Sequence, residues 1–149
     1  MKTVTDPAVL EQLVERLSAL NPDTPRLWGT LTAGEMLCHL SDAAASVLQP
    51  DTSEPAPRHR FFKWIALSAP VAWPRGLPTP PTVDPHAQGT KPSDFEDDRQ
   101  RAIARLREFA AAPTTEFASN HGAFGPMSVR DWRRWAYRHT DHHLRQFGV

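Results

Sequence analysis

Residues 128–149 read SVRDWRRWAYRHTDHHLRQFGV. Ser128 and Asp131 stand three apart, the spacing at which a capping hydroxyl and a carboxylate satisfy each other's backbone N–H groups, so a helix opens here. Asp is a shorter substitute for the usual Glu or Gln. Val129, Trp132, Ala136, His139, His143 and Phe147 then recur at helical spacing and gather on one face. A helix running to about Phe147 with one apolar face needs a surface to bury that face against. That surface has to accommodate two histidines.

Three further segments upstream supply it. Asp6 can cap a first helix with Pro7 in its first turn, and Val9, Leu10, Leu13, Leu17 and Leu20 follow at helical intervals until Asn21-Pro22. Thr32 and Glu35 form a capping box for a second helix, with Met36, His39/Leu40, Ala43 and Val47 as its stripe and Pro50 beyond its end. Ser93 and Glu96 suggest the same device for a third. Asp94, Glu96, Asp97 and Asp98 crowd its start and Arg101, Arg105 and Arg107 follow, the order that suits the helix dipole. Ala102, Ile103, Leu106, Phe109 and Ala110 form its apolar side. No segment alternates with period two, so strands are not expected.

Four amphipathic helices predict an all-α fold, a four-helix bundle in one domain spanning residues 1–149. Ten of the fifteen prolines lie between Pro50 and Pro92, which makes the connection between the second and third helices a long Pro-rich crossover. A connection of over forty residues can return along the whole bundle, so those two helices can run parallel. Within it, residues 58–69 (RHRFFKWIALSA) predict a short helix whose Phe61, Phe62, Trp64 and Ile65 cover the bundle. The remainder to Pro92 is expected to be extended and ordered by packing.

Bulk properties narrow the function. The formal net charge is zero, which disfavours a nucleic-acid binder relying on a strong positive field. No apolar run is long enough for a membrane span, and the first seventeen residues carry charges where an export signal would be apolar. The lone Cys38 cannot form an internal disulfide, which fits a reducing cytoplasm. Cys38 reads as a small buried residue.

Three of the seven histidines fall between positions 139 and 143. His139 and His143, four apart, project side by side from the inward face; His142 lies roughly 100° around the axis from His143, at the edge or in solvent. One inward histidine is ordinarily a hydrogen-bonded core residue. Two side by side are costly to bury unless each ring nitrogen finds a partner, and a divalent metal would supply one for each ring. Thr140 follows His139 and His142 precedes His143, where the two zinc-protease helix motifs each require Glu, so neither motif is present. No Glu-x-x-His pair marks a di-iron bundle. His39, in the second helix, is the candidate third ligand, although taken alone it reads equally as a core histidine. Three imidazoles with an open position would suit catalysis more than a purely structural site.

These residues carry a resemblance. Leu37-Cys38-His39-Leu40, the spacing His139-x-x-x-His143-x-x-Gln146, the stretch Asn120-His121-Gly-Ala-Phe124-Gly125-Pro126-Met127-Ser128 followed by Trp132, and the tail His142-His143-Leu144-Arg145-Gln146-Phe147-Gly148 together resemble the DinB/YfiT-like superfamily. The likeness is to a small branch with an H-x-x-H-H-L-x-Q-F-G tail. It covers nearly the whole chain and is weakest across the crossover. It implies a four-helix bundle and a divalent metal, often nickel or zinc, held by His39, His139 and His143. It also implies a low-molecular-weight thiol as cosubstrate, a small-molecule substrate and, in many relatives, a homodimer.

The leading expectation is therefore a metal-dependent enzyme: a thiol S-transferase, an isomerase or a hydrolase. Asp42, one turn after His39, is a candidate base or outer partner, and otherwise an exposed helix residue. His121 could reach the open side of the metal from its Gly/Pro-rich loop, or be an ordinary loop histidine. Gln146 could orient a ligand or cap the helix end. The alternative is a non-enzymatic metal- or ligand-binding module in which Trp28, Trp64, Trp73, Trp132 and Trp135 build a pocket, a dimer face or simply the core. Arg130, Arg133, Arg134, Arg138 and Arg145 make the last helix basic, and Asp141 is placed to pair with Arg138 and Arg145.

Overall fold

The computed structural model describes residues 1–49 and 60–149. Five α-helices dominate these residues: α1 (Pro7–Ser18), α2 (Ala33–Val47), α3 (Arg60–Ser68), α4 (Phe95–Ala111) and α5 (Val129–Gln146). The fold is mostly helical, as the sequence predicts. α1, α2, α4 and α5 correspond to the four amphipathic helices.

The caps form as local chemistry requires. Asp6 accepts from Ala8 N at 3.0 Å, and both the Thr32/Glu35 and Ser128/Asp131 boxes close in both directions. One cap differs from expectation. Asp94, not Ser93, begins α4 by accepting from Glu96 N and Asp97 N, while Ser93 N donates to Asp98 at 3.0 Å. A carboxylate one residue later reaches two orphan N–H groups, which the Ser hydroxyl in a Ser93 cap would not do.

Contacts between helices fix their directions. Gly34, in the first turn of α2, lies beside Pro92 and Phe95 at the start of α4. Ala118 N, just past α4, donates to Val47 O at the end of α2 at 2.8 Å, so α2 and α4 run parallel. Arg16, near the end of α1, donates to Asp141 (2.7 Å) and to Val149 O (2.8 Å), and Val4 N meets Arg133 O, which makes α1 and α5 parallel as well. Arg99, early in α4, reaches Ser18 O and Leu20 O, whereas Arg107 reaches Glu11, so α1 and α4 are antiparallel. α5 touches all four other helices. Between them lies a core including Leu13, Leu17, Met36, Leu37, Phe109 and Leu144.

The crossover helix departs from expectation. Arg58 and His59 lie outside the described residues, and α3 begins at Arg60. Phe61, Phe62 and Trp64 are 68%, 63% and 59% exposed rather than covering the other helices; Ile65 is half-buried, and Leu67 is the residue of α3 that is buried among those described. A short helix apolar around much of its circumference does not specify its own roll. Here Lys63 sets it, donating to Pro126 O (2.8 Å) and Asp131 (3.1 Å), and Trp73 Nε1 caps the arrangement by donating to Ala66 O at 2.7 Å. The rest of the crossover is not uniformly extended. Residues Pro81–Val83 form a 3₁₀ turn, and a tight loop follows in which Gly89 N donates to Asp84 O at 2.8 Å. A Cβ at Gly89 would come within 2.7 Å of the Asp84 backbone, so only glycine closes this loop. A two-residue ladder, β1 (Asn120–His121) with β2 (Gly125–Pro126), adds a minimal hairpin before α5.

Candidate metal centre

His39 stands on the face of α2 that buries Met36, Leu40 and Ala43, and His139 and His143 occupy successive turns of α5. Where the helices meet, the three Nε2 atoms converge. His39 Nε2 and His143 Nε2 lie 3.1 Å and 3.2 Å from His139 Nε2, and all three lie within 4.8 Å of one another, close enough to hold a metal ion. The rings meet edge to face, with centroids 4.7 to 5.1 Å apart.

The outer nitrogens explain the orientation. His39 Nδ1 lies 2.8 Å from Val83 O, and His143 Nδ1 lies 2.8 Å from Gln146 Oε1. Both partners are acceptors, so each Nδ1 carries the proton and donates, and each Nε2 presents a lone pair. His139 Nε2 thus faces two lone pairs and has at most one proton to share between them. One cation would satisfy what one proton cannot. An acceptor behind each of two ligating imidazoles is also the arrangement that orients histidines around metals.

Electrostatics keep the cluster neutral. Burial pushes His39 below its ordinary range, against the opposing pull of Val83 O and the carboxylates of Asp42 and Asp84. His143 is pushed down to about 3, mainly by burial and then by His39, with the Gln146 bond opposing. Burial and the neighbouring His143 and His39 hold His139 well below the usual histidine range. Neutral imidazole is the ligating form. His39 and His143 are 4% and 8% exposed, whereas His139 is half-buried. Its ring stacks on Trp135, with centroids 4.5 Å apart, which fixes its plane.

The other candidates separate by position. Asp42 accepts from Thr90 N (2.7 Å) and Thr90 Oγ1 (2.8 Å), tying α2 to the crossover. His121 accepts from Ala123 N at Nδ1, stacks on Phe124 at 4.4 Å and meets Trp135 edge to face at 6.0 Å; burial lowers it to about 4. His142 lies outside the triad, half-buried at its edge between Trp28 (4.9 Å) and Trp73 (5.7 Å). Arg145 pairs with Asp141 at 2.9 Å, but Arg138 does not: it donates to Ala66 O and Val71 O, anchoring the crossover. Cys38 is buried, and burial pushes its thiol up to about 11, as befits a core residue.

One site contributor was not singled out from sequence: Val83 O acts through its backbone, which no residue pattern reports. Gln146, one of whose two expected roles was to orient a ligand, bonds His143; three residues apart on a helix is within hydrogen-bonding reach.

Comparison with protein-family models, with curated proteins and with solved structures finds no match to this chain. No helix among the described residues is long and apolar enough to cross a membrane.

Proposed function

We propose that His39, His139 and His143 bind one divalent metal ion through Nε2, and that the chain is a single-domain, DinB/YfiT-like four-helix bundle built from α1, α2, α4 and α5. The observation that carries this reading is the convergence of three Nε2 atoms with two of the outer Nδ1 atoms already committed to acceptors. The parallel pairing of α2 with α4 across a long crossover supports the bundle, and the residue pattern supports the family. An all-imidazole donor set suits nickel or zinc better than magnesium or calcium, which prefer oxygen.

The reading extends to enzymatic function because three protein ligands converge among the described residues and one, His139, is half-buried. A divalent ion at this position supplies Lewis acidity that makes a thiol or a water nucleophilic near neutral pH. The chain's own contribution is orientation. Val83 and Gln146 hold two rings, Trp135 holds the third, and the surrounding aromatic residues restrict water. The reaction classes that follow are thiol transfer, isomerisation or hydrolysis on a small-molecule substrate, with a low-molecular-weight thiol as cosubstrate for the first two, in a cytoplasmic protein.

The test is metal content and turnover. Tag-free protein should retain about one equivalent of nickel or zinc, and His39→Ala, His139→Ala and His143→Ala should each lose it while remaining helical by circular dichroism. Metal that persists stoichiometrically in His39→Ala removes α2 from the site. Metal-loaded protein is then screened with bacterial thiols and electrophiles. If metal binds but exchanges no ligand and supports no turnover, the non-enzymatic binding module becomes the better reading.

A further inference from the structure

Beside the triad, and separate from it, lies a cavity of about 320 Å³ between the segment around Trp28, the crossover residues 70–75 and the outer face of α5. That volume falls at the lower end of small-molecule sites, roughly 300–1,000 Å³. Its lining has two chemistries.

The first is cationic. Arg75, Arg138 and Arg145 line the cavity, and Asp141 is its one carboxylate among the described residues. Asp141 is already engaged twice, by Arg145 at 2.9 Å and by Arg16 at 2.7 Å. Arg138 spends donors on the Ala66 and Val71 carbonyls, which neutralise no charge. Arg75 has no carboxylate partner among the described residues; its guanidinium rests over Trp28, 5.1 Å from the ring centroid. Among the described residues the lining therefore carries more guanidinium than carboxylate charge, in a chain whose formal net charge is zero.

The second is flat and apolar. Trp28 and Trp73 are both half-buried on this cavity with His142 between them, and Trp73, which also packs against the core, is locked by its bond to Ala66 O. Leu27 and Val71 stand at its rim and remain 69% and 49% exposed. Aromatic surface that His142 and Arg75 cover only in part, beside guanidinium without a carboxylate partner, is a good arrangement for an amphipathic anion.

We propose that this cavity binds a small organic acid with a flat apolar body, the acid group held by Arg75 and Arg145 and the body lying against Trp28 and Trp73. The site goes beyond the metal reading and does not depend on it, because only side chains of this chain take part. Trp73 also lies 6.1 Å from His139, ring centroid to ring centroid, so an occupant would sit close to the triad.

The experiment uses full-length, tag-free, EDTA-treated protein, with 2-naphthoate as the acid and 2-naphthalenemethanol as its uncharged counterpart. Binding is followed by calorimetry and tryptophan fluorescence. The acid should bind saturably and about tenfold or more tighter than the alcohol, since charge-assisted bonds are available to it alone. The Arg75→Gln/Arg145→Gln variant should erase that difference while keeping the alcohol's affinity and the melting temperature; both side chains are exposed enough to replace without unfolding the chain. His39→Ala should still bind the acid, which separates this site from the metal site. Equal binding of acid and alcohol, absence of saturable acid binding, or an unchanged acid affinity in the double variant would each overturn the proposal.

Discussion

Replacing Gln146 by Leu tests the centre without touching a ligating residue. Gln146 is buried, and its Oε1 accepts from His143 Nδ1 at 2.8 Å. Leucine fills nearly the same space but offers no acceptor. The His143 Nδ1–H is then left without a partner inside the protein, which costs about 1–3 kcal/mol as long as the proton stays there. The ring can escape that cost by moving the proton to Nε2, the atom that should face the metal. Either outcome weakens binding. Loss of such an outer hydrogen bond typically lowers metal affinity about 10- to 100-fold, or about 1.4–2.7 kcal/mol. Gln146→Glu keeps an acceptor and strengthens it with charge, so its affinity should equal or exceed wild type.

Affinities are measured for zinc and nickel by competition with a chromophoric chelator at pH 7.5, with urea denaturation of the metal-free proteins as the stability control. Wild type and Gln146→Leu agreeing within about twofold, where 10- to 100-fold is expected, would refute the assignment of Gln146 as the group that fixes His143. So would Gln146→Glu weakening binding as much as Gln146→Leu, because acceptor chemistry would then be irrelevant.

Other outcomes follow from the same geometry. A Cβ at Gly29, where φ is +88°, would lie 2.9 Å from Gln146 Nε2, so Gly29→Val should displace Gln146 and weaken metal binding in the same direction, read in the same competition assay. Saturating metal at about 100 times its dissociation constant adds about 2.7 kcal/mol, which for a domain of this size raises the melting temperature by about 9 °C in calorimetry; His139→Ala should show no such rise. The metal-free protein should lose stability as pH falls below about 6.5, since the unfolded chain takes up protons that the depressed histidines refuse. With His143 held at about 3, that residue alone accounts for about 2 kcal/mol between pH 7 and pH 5, checked by urea titration in EDTA. Cys38 should resist a thiol reagent in native protein and react fully in denaturant, because it is both buried and pushed up to about 11.

The helices were legible because their signals are local. Asp6, Thr32 and Ser128 act within three residues of themselves, and the apolar stripes follow one helical period. The inward pair His139 and His143 was legible for the same reason, since four residues on a helix fix a shared face whatever lies opposite. The roll of α3 was not. Phe61, Phe62, Trp64 and Ile65 cover one side of the helix and Ala66 and Leu67 carry apolar surface round to the other, so the choice falls to Lys63, whose partners Pro126 O and Asp131 lie over sixty residues away. The α4 cap failed on a smaller scale: Ser93 and Asp94 are adjacent cap formers, and the winner is the one whose carboxylate reaches two donors at once.

The crossover was the least legible segment, and it completes the centre. His39 needs an acceptor behind Nδ1, and α2 cannot provide one, because its own carbonyls are engaged along the helix. Val83 O supplies it from the 3₁₀ turn, at 2.8 Å. That turn is held in place by the Asp84–Gly89 loop beyond it and by Thr90, which both donates its N–H and hydroxyl to Asp42, one turn past His39 on the same helix. Asp42 and Val83 therefore act as a pair: the first clamps the crossover to α2, and the second uses that clamp to fix the ring. A carboxylate spent on two hydrogen bonds is a weak candidate for a base. A carboxylate that sets the tautomer of a ligating histidine through the segment it holds is a positioning residue, and Asp42 is placed for that role.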